Sequence, residues 1–383
     1  MSWLDNVAEQ QCDNWHSQGL ERTPAIFSTG QTPVTTIDSH EYVLFSSSNY
    51  LGLAEHPAVT KAAADALNRF GAGSGGSRLT TGTTDLHAQV EHDFARFLGY
   101  EDSVFFSAGF MANAGVLQAL AGPGTLIVSD ERNHASIIDG CRLAKAQGAT
   151  VRVYSHRDPA HVDELLRGHS GEAIVVTDGL FSMDGTLAPV PELLAVCHAR
   201  GAALMVDDAH GTGTLGATGR GITEHFSLVD DHPDILVATS SKALGVEGGA
   251  VAASAPVAAL LRQKARTFVY STSSTPATCA AVSAAIGVLE GEESPVPALH
   301  RNIRRLASQL GMDEWASPII PVPIGDETRA VAASARLREA GYFVPAIRWP
   351  TVPRSAAMLR VTVMATHTFE QIDGLARALA LVR

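Results

Sequence analysis

Thr239-Ser240-Ser241-Lys242-Ala243-Leu244-Gly245 follows directly on the apolar run Ile235-Leu236-Val237-Ala238, and that order decides the fold. A short, wholly apolar run marks a strand covered on both faces, and such strands belong to parallel sheets packed between helices. Upstream, Asp207-Asp208-Ala209-His210-Gly211 closes a second run of the same kind at 202–206. Outward from these two, β-rich runs at 103–106, 126–128, 151–154 and 174–177 alternate with helical patterns. The alternation predicts an α/β fold, a mostly parallel central sheet with helices on both faces, over residues 41–293. In such sheets ligands gather beyond the carboxyl ends of the strands.

The rest of the chain frames this domain. Residues 1–40 read as a helical N-terminal arm followed by a polar connection punctuated by Pro24, Gly30 and Pro33. Residues 294–383 read as a small α+β domain, with strand-like runs at 319–324, 343–347 and 359–363 and helical patterns at 331–339 and 369–381. A chain of 383 residues exceeds one ordinary core. A formal net charge of −12, with no basic cluster, argues against nucleic acid or an anionic membrane as partner. The four cysteines, Cys12, Cys141, Cys197 and Cys279, are dispersed without a spacing suited to zinc, so free thiols and no metal are expected. No apolar run reaches the ~18 residues of a membrane span, and the sequence reads as that of a soluble, cytoplasmic protein.

Lys242 stands apart from Lys61, Lys145 and Lys264, which lie in polar, helix-like surroundings. A lysine and an aspartate that each end a buried strand suit an enzyme holding pyridoxal phosphate, the lysine as a Schiff base and the aspartate against the pyridinium nitrogen. Either Asp207 or Asp208 alone would serve as well as a helix cap; with Lys242 present, Asp207 takes the ring nitrogen and Asp208 the structural role. Ser182, in Ser182-Met183-Asp184-Gly185, and His210 follow strands on the same edge and could reach the ring hydroxyl and Schiff-base region. His134 follows the run at 126–128 and could stack on the ring. Ser107-Ala108-Gly109-Phe110-Met111 offers backbone N–H groups at a helix start for a phosphate. The richer Gly71-Ala72-Gly73-Ser74-Gly75-Gly76 follows a helical pattern where a dinucleotide turn requires a strand, so that reading is set aside. Arg348 and Arg360 lie in strand-like runs, and a buried arginine needs a partner, either a protein carboxylate or that of a substrate.

Together these segments resemble the α-oxoamine synthases, fold-type I pyridoxal-phosphate enzymes that condense an amino acid with an acyl thioester. The resemblance runs nearly end to end, through Tyr50-Leu51-Gly52-Leu53, Gly73-Ser74-Gly75-Gly76-Ser77-Arg78 with Gly82-Thr83 and His87, Phe181-Ser182-Met183-Asp184-Gly185, Asp207-Asp208-Ala209-His210-Gly211-Thr212-Gly213, Lys242, Tyr270-Ser271-Thr272-Ser273, and Ile347-Arg348-Trp349-Pro350-Thr351-Val352-Pro353. It is nearest to the biotin-biosynthetic branch. It implies decarboxylating condensation of L-alanine with a pimeloyl thioester of CoA or of an acyl carrier protein. A sister enzyme using glycine or serine with another acyl-CoA is the alternative, and a pyridoxal-phosphate aldolase or lyase a more distant one.

The resemblance implies Lys242 as covalent anchor and proton shuttle, Asp207 as pyridinium partner and His134 as the stacking group. Ser182, His210 and Thr239 would contact the cofactor, with Gly109 and Phe110 near its phosphate. Thr272 would reach the phosphate from a neighbouring subunit, which implies a homodimer with shared sites. Arg22, Thr351 and Arg360 match substrate-contacting positions. One departure stands out: Ser47-Ser48-Asn49-Tyr50 has Ser48 where the family carries an asparagine that helps hold the substrate carboxylate.

Overall fold

The computed structural model describes residues 1–21, 23–228 and 231–382. The first helix, Trp3–Ser17, opens on a reciprocal capping box between Ser2 and Asp5 and buries none of its residues. A hairpin follows, β1 (Val34–Ile37) against β2 (His40–Leu44); β1 lies in the stretch read from the sequence as a polar connection, and β2 runs from its last residue into the large domain.

Seven strands form the central sheet: β3 (Asp102–Phe106), β4 (Leu126–Asp130), β5 (Thr150–Tyr154), β6 (Ala173–Asp178), β7 (Ala203–Asp207), β8 (Ile235–Thr239) and β9 (Gly249–Ala253). Across the sheet they run β3-β9-β8-β7-β6-β4-β5. The neighbours from β5 to β8 are all parallel, and only β9 opposes the strands on either side of it. Successive side chains of a strand point to opposite faces. Leu126 and Val128 therefore enter one hydrophobic cluster while Ile127 enters another on the far side.

Strand β9 escaped the sequence reading because Gly249-Ala250-Val251-Ala252-Ala253 is poor in the branched residues that mark strands. Its small residues have a packing reason: a Cβ at Gly249 would lie 2.6 Å from the backbone N and Cα of Gly109. The strand start and the helix Gly109–Leu120 touch through backbone alone.

The C-terminal part adds β10 (Ile319–Gly325), β11 (Tyr342–Phe343), β12 (Ala346–Ile347) and β13 (Ala357–Thr362). The order β10-β13-β12 makes an antiparallel sheet, while β11 joins β2 in parallel. The sequence run 343–347 is thus two strands in two sheets. Pro345 separates them; it has no N–H for a ladder, and its carbonyl accepts from the backbone N–H of Arg360 at 3.1 Å. His367 ties the same regions together. It accepts from the Met364 N–H at Nδ1 and donates through Nε2 to the Leu44 carbonyl, both at 2.9 Å, while its ring stacks on Phe45 at 4.1 Å.

Because β3, β4, β6, β7 and β8 share one direction, the segments that follow them emerge on one edge of the sheet. Those segments carry Gly109, His134, Ser182, His210 and Lys242. Among the described residues no helix is long and apolar enough to cross a membrane.

Candidate active site

That edge opens into a cavity of about 270 Å³ lined by Gly109, Phe110, Asn113, His134, Ser136, Asp178, Ser182, Asp207, His210, Thr239 and Lys242, among others. The turn carrying Lys242 is fixed from beneath. Thr239 Oγ1 donates to the Gly248 carbonyl at 2.8 Å and lies 2.8 Å from Ser241 Oγ. Burial lowers the pKa of the Lys242 ammonium from its ordinary value; Asp207 and Asp178 oppose the shift.

Asp207 ends β7 almost wholly buried. Its Oδ1 accepts the Ala209 N–H at 3.0 Å, and its Oδ2 accepts from Asn113 Nδ2 at 2.5 Å. Asp178 ends β6 one strand away. Burial, reinforced by Asp207, pushes its carboxyl well above the usual range. Asp208 points elsewhere, accepting from Thr212 Oγ1 at 3.0 Å and the Ile222 N–H at 3.1 Å. Its burial raises the carboxyl to about 8.

His134 caps the helix Ala135–Ala146, its Nδ1 accepting the Ser136 N–H at 3.2 Å. The Phe110 ring stands edge-on to it, with centroids 6.5 Å apart. Its pKa is lowered by desolvation, with Asp207 opposing and Lys242 adding to the fall. His210 is buried, with Nδ1 2.8 Å from the Tyr50 hydroxyl, and burial followed by the charges of Lys242 and Arg360 holds it well below its ordinary pKa. Tyr50 in turn faces Arg360 and Ser48. Arg360, 8 % exposed, donates from Nε to the Ser182 carbonyl at 2.6 Å. No protein carboxylate pairs with it among the described residues.

The helix Gly109–Leu120 has Ala108 at its N-cap and no side-chain cap, so its first N–H groups lie free at the cavity wall.

The remaining expected residues lie outside this cavity. Ser48 lines an adjoining cavity of about 410 Å³ that shares Ser241 and Lys242 with it. Thr351 lines another of about 580 Å³, between Phe181-Ser182-Met183-Asp184 and Trp349-Pro350-Thr351-Val352-Pro353, that shares Ser182. Thr272 is exposed on the same chain's surface, its carbonyl accepting from Ser107 Oγ at 3.2 Å. Arg22 lies outside the described residues. Asn113, Asp178 and Ser136 were given no role from the sequence. Asn113 and Ser136 lie inside helical stretches, where the chain offers no sign of which side chains turn inward.

Residues 40–379 match the aminotransferase class I and II family. The chain belongs to that family. An 8-amino-7-oxononanoate synthase of Geobacter sulfurreducens is 44 % identical, over 95 % of this chain and 95 % of its own. The biotin biosynthesis bifunctional protein BioWF of Corynebacterium kroppenstedtii is 45 % identical over 98 % of this chain, which spans 58 % of that protein's length. Among solved structures, SPT with its PLP internal aldimine superposes with a TM-score of 0.92 at 29 % identity, covering 100 % of this chain and 98 % of that one. The fold-type I architecture implied by the motifs is therefore the one observed.

Proposed function

We propose that the chain is a pyridoxal-phosphate-dependent acyltransferase that condenses L-alanine with a pimeloyl thioester, giving 8-amino-7-oxononanoate, a free thiol and carbon dioxide in biotin biosynthesis. The observation that carries this reading is the meeting of Lys242, Asp207 and His134 on one cavity, in a chain so similar to proteins named for that synthase. The donor set fits the cofactor: an amine of lowered pKa, a buried carboxylate, an imidazole on the wall and an uncapped helix start for a phosphate.

When bound, pyridoxal phosphate supplies the electron sink at the substrate's α-carbon. Lys242 Nζ anchors the cofactor and carries the α-proton, a role its lowered pKa suits. Asp207 holds the proton on the ring nitrogen through a charge-assisted hydrogen bond. His134 would cover the ring, Ser182, His210 and Thr239 would contact it, and the N–H groups at Gly109 and Phe110 would hold the phosphate. Thr272 of a second copy completes the phosphate site, which makes the working unit a homodimer. Arg360, which like Ser48 faces the Tyr50 hydroxyl, holds the amino-acid carboxylate. Thr351 and Arg22 contact substrate, the acyl group lying toward the cavity that Thr351 lines.

Steady-state rates with alanine, glycine and serine against pimeloyl-CoA, a pimeloyl carrier protein and longer acyl-CoAs test the reading. Alanine with a pimeloyl donor should give the highest kcat/KM, with one thiol and one carbon dioxide per turnover. The likeness to SPT favours one second reading, in which serine or glycine is the amino acid. Preferred turnover of either would establish it, and turnover without any thioester would defeat both.

A further inference from the structure

Asn113 uses both of its amide hydrogens between two site residues. One Nδ2–H goes to Asp207 Oδ2 at 2.5 Å and the other to Ser136 Oγ at 2.9 Å, while Oδ1 is buried without a partner. With Asp207 Oδ2 accepting the first of these bonds, the amine end of the amide is the one that faces it. The second N–H then occupies a lone pair of Ser136 Oγ. The Ser136 backbone N–H donates to His134 Nδ1, so the Ser136 hydroxyl, 2.7 Å from the same nitrogen, turns its hydrogen toward it and keeps its lone pairs for Asn113. With Nδ1 accepting twice, the His134 proton sits on Nε2. Asn113 and Ser136 are 2 % and 0 % exposed, so water does not take over either link.

We propose that Asn113 is a positioning residue that ties the orientation of Asp207 to the tautomer of His134. The proposal rests on reading those two as cofactor contacts. The other titratable groups facing His134 are Lys242 and Asp178, whose Oδ1 accepts from the His134 backbone N–H at 3.3 Å.

The test compares holoenzyme of Asn113→Asp, Asn113→Ala and Ser136→Ala with the unaltered chain. The readouts are kcat and KM for alanine, cofactor dissociation, and long-range 1H–15N NMR of the full chain, with His134 assigned through its loss in His134→Gln. Asn113→Asp preserves shape but sets a second acceptor against Asp207. It should lower kcat at least about tenfold more than Asn113→Ala, with KM changed less than about threefold. Ser136→Ala does not touch Asp207, so it should keep cofactor affinity and yet raise the Nδ1–H form of His134, as should Asn113→Ala. A milder effect of Asn113→Asp than of Asn113→Ala would mean that the amide only fills space, and the proposal fails. It fails too if His134 keeps one Nε2–H signal in Asn113→Ala. Absence of cofactor on Lys242 in the unaltered chain would instead sink the functional reading, and the NMR comparison would still decide the role of Asn113.

Discussion

In the proposed reaction Lys242 and Asp207 divide the chemistry between them, and each division is measurable. Purified protein should be yellow, and borohydride should fix the cofactor on Lys242; a tryptic map finding it on Lys61, Lys145 or Lys264 would overturn the anchor. Asp207→Asn keeps the shape at the end of β7 and removes the charge. It should cost about 2 kcal/mol of transition-state stabilisation or more, roughly thirtyfold in rate. Near-normal turnover would assign the ring nitrogen to another group. Ser48 offers one donor where an asparagine offers two, so the amino-acid carboxylate should lean on Arg360. Ser48→Asn should then lower KM for alanine. Arg360→Ala should raise it at least about tenfold, near 1.4 kcal/mol. If the first changes nothing and the second is mild, the carboxylate is bound elsewhere.

At the scale of elements, the segment after β2 is held to the end of β13 by backbone bonds from Thr362 N–H to the Phe45 carbonyl at 2.9 Å and from Ala365 N–H to the Tyr50 carbonyl at 2.7 Å, and by His367. Burial brings the His367 imidazole down to about 4 from its ordinary 6.5, with the hydrogen bond to the Leu44 carbonyl opposing the fall. A base with a depressed folded pKa contributes stability that is present above 6.5 and lost as pH falls through about 4. His367→Leu should therefore destabilise the protein strongly at pH 7, and progressively less toward pH 4, as the native histidine is forced to charge. Urea midpoints of both proteins across that window give the comparison. A gap that stays constant with pH would show that His367 acts through packing alone.

For the whole molecule, the position of Thr272 is the test of assembly. It is exposed on the same chain's surface and outside the main cavity, and the proposed function gives it a phosphate contact in a second copy. In a twofold dimer each site would draw Lys242 from one copy and Thr272 from the other. Lys242→Ala and Thr272→Ala chains, each impaired alone, should recover about a quarter of the normal number of complete sites when mixed at random. No recovery beyond the sum of the separate activities would confine each site to one chain.

The sequence by itself determined the sheet and its working edge. Strand runs such as 126–128 and 235–238 are apolar because both of their faces are covered, and polar residues beyond a parallel strand's end have only one edge to occupy. The placement of Lys242, Asp207, His134, Ser182, His210 and Gly109 on that edge was legible for that reason. Tertiary structure decided the rest. Strand β9 is built of small residues because a backbone passes against it, and no periodicity reports that approach. Pro345 splits one apolar run between two sheets, according to partners far away in the chain. The bond from Asn113 to Asp207 joins residues 94 positions apart, and the one from Tyr50 to His210 joins residues 160 apart. A hydrogen bond is a matter of ångströms and direction, which are set only when the strands and helices that carry the two groups have packed.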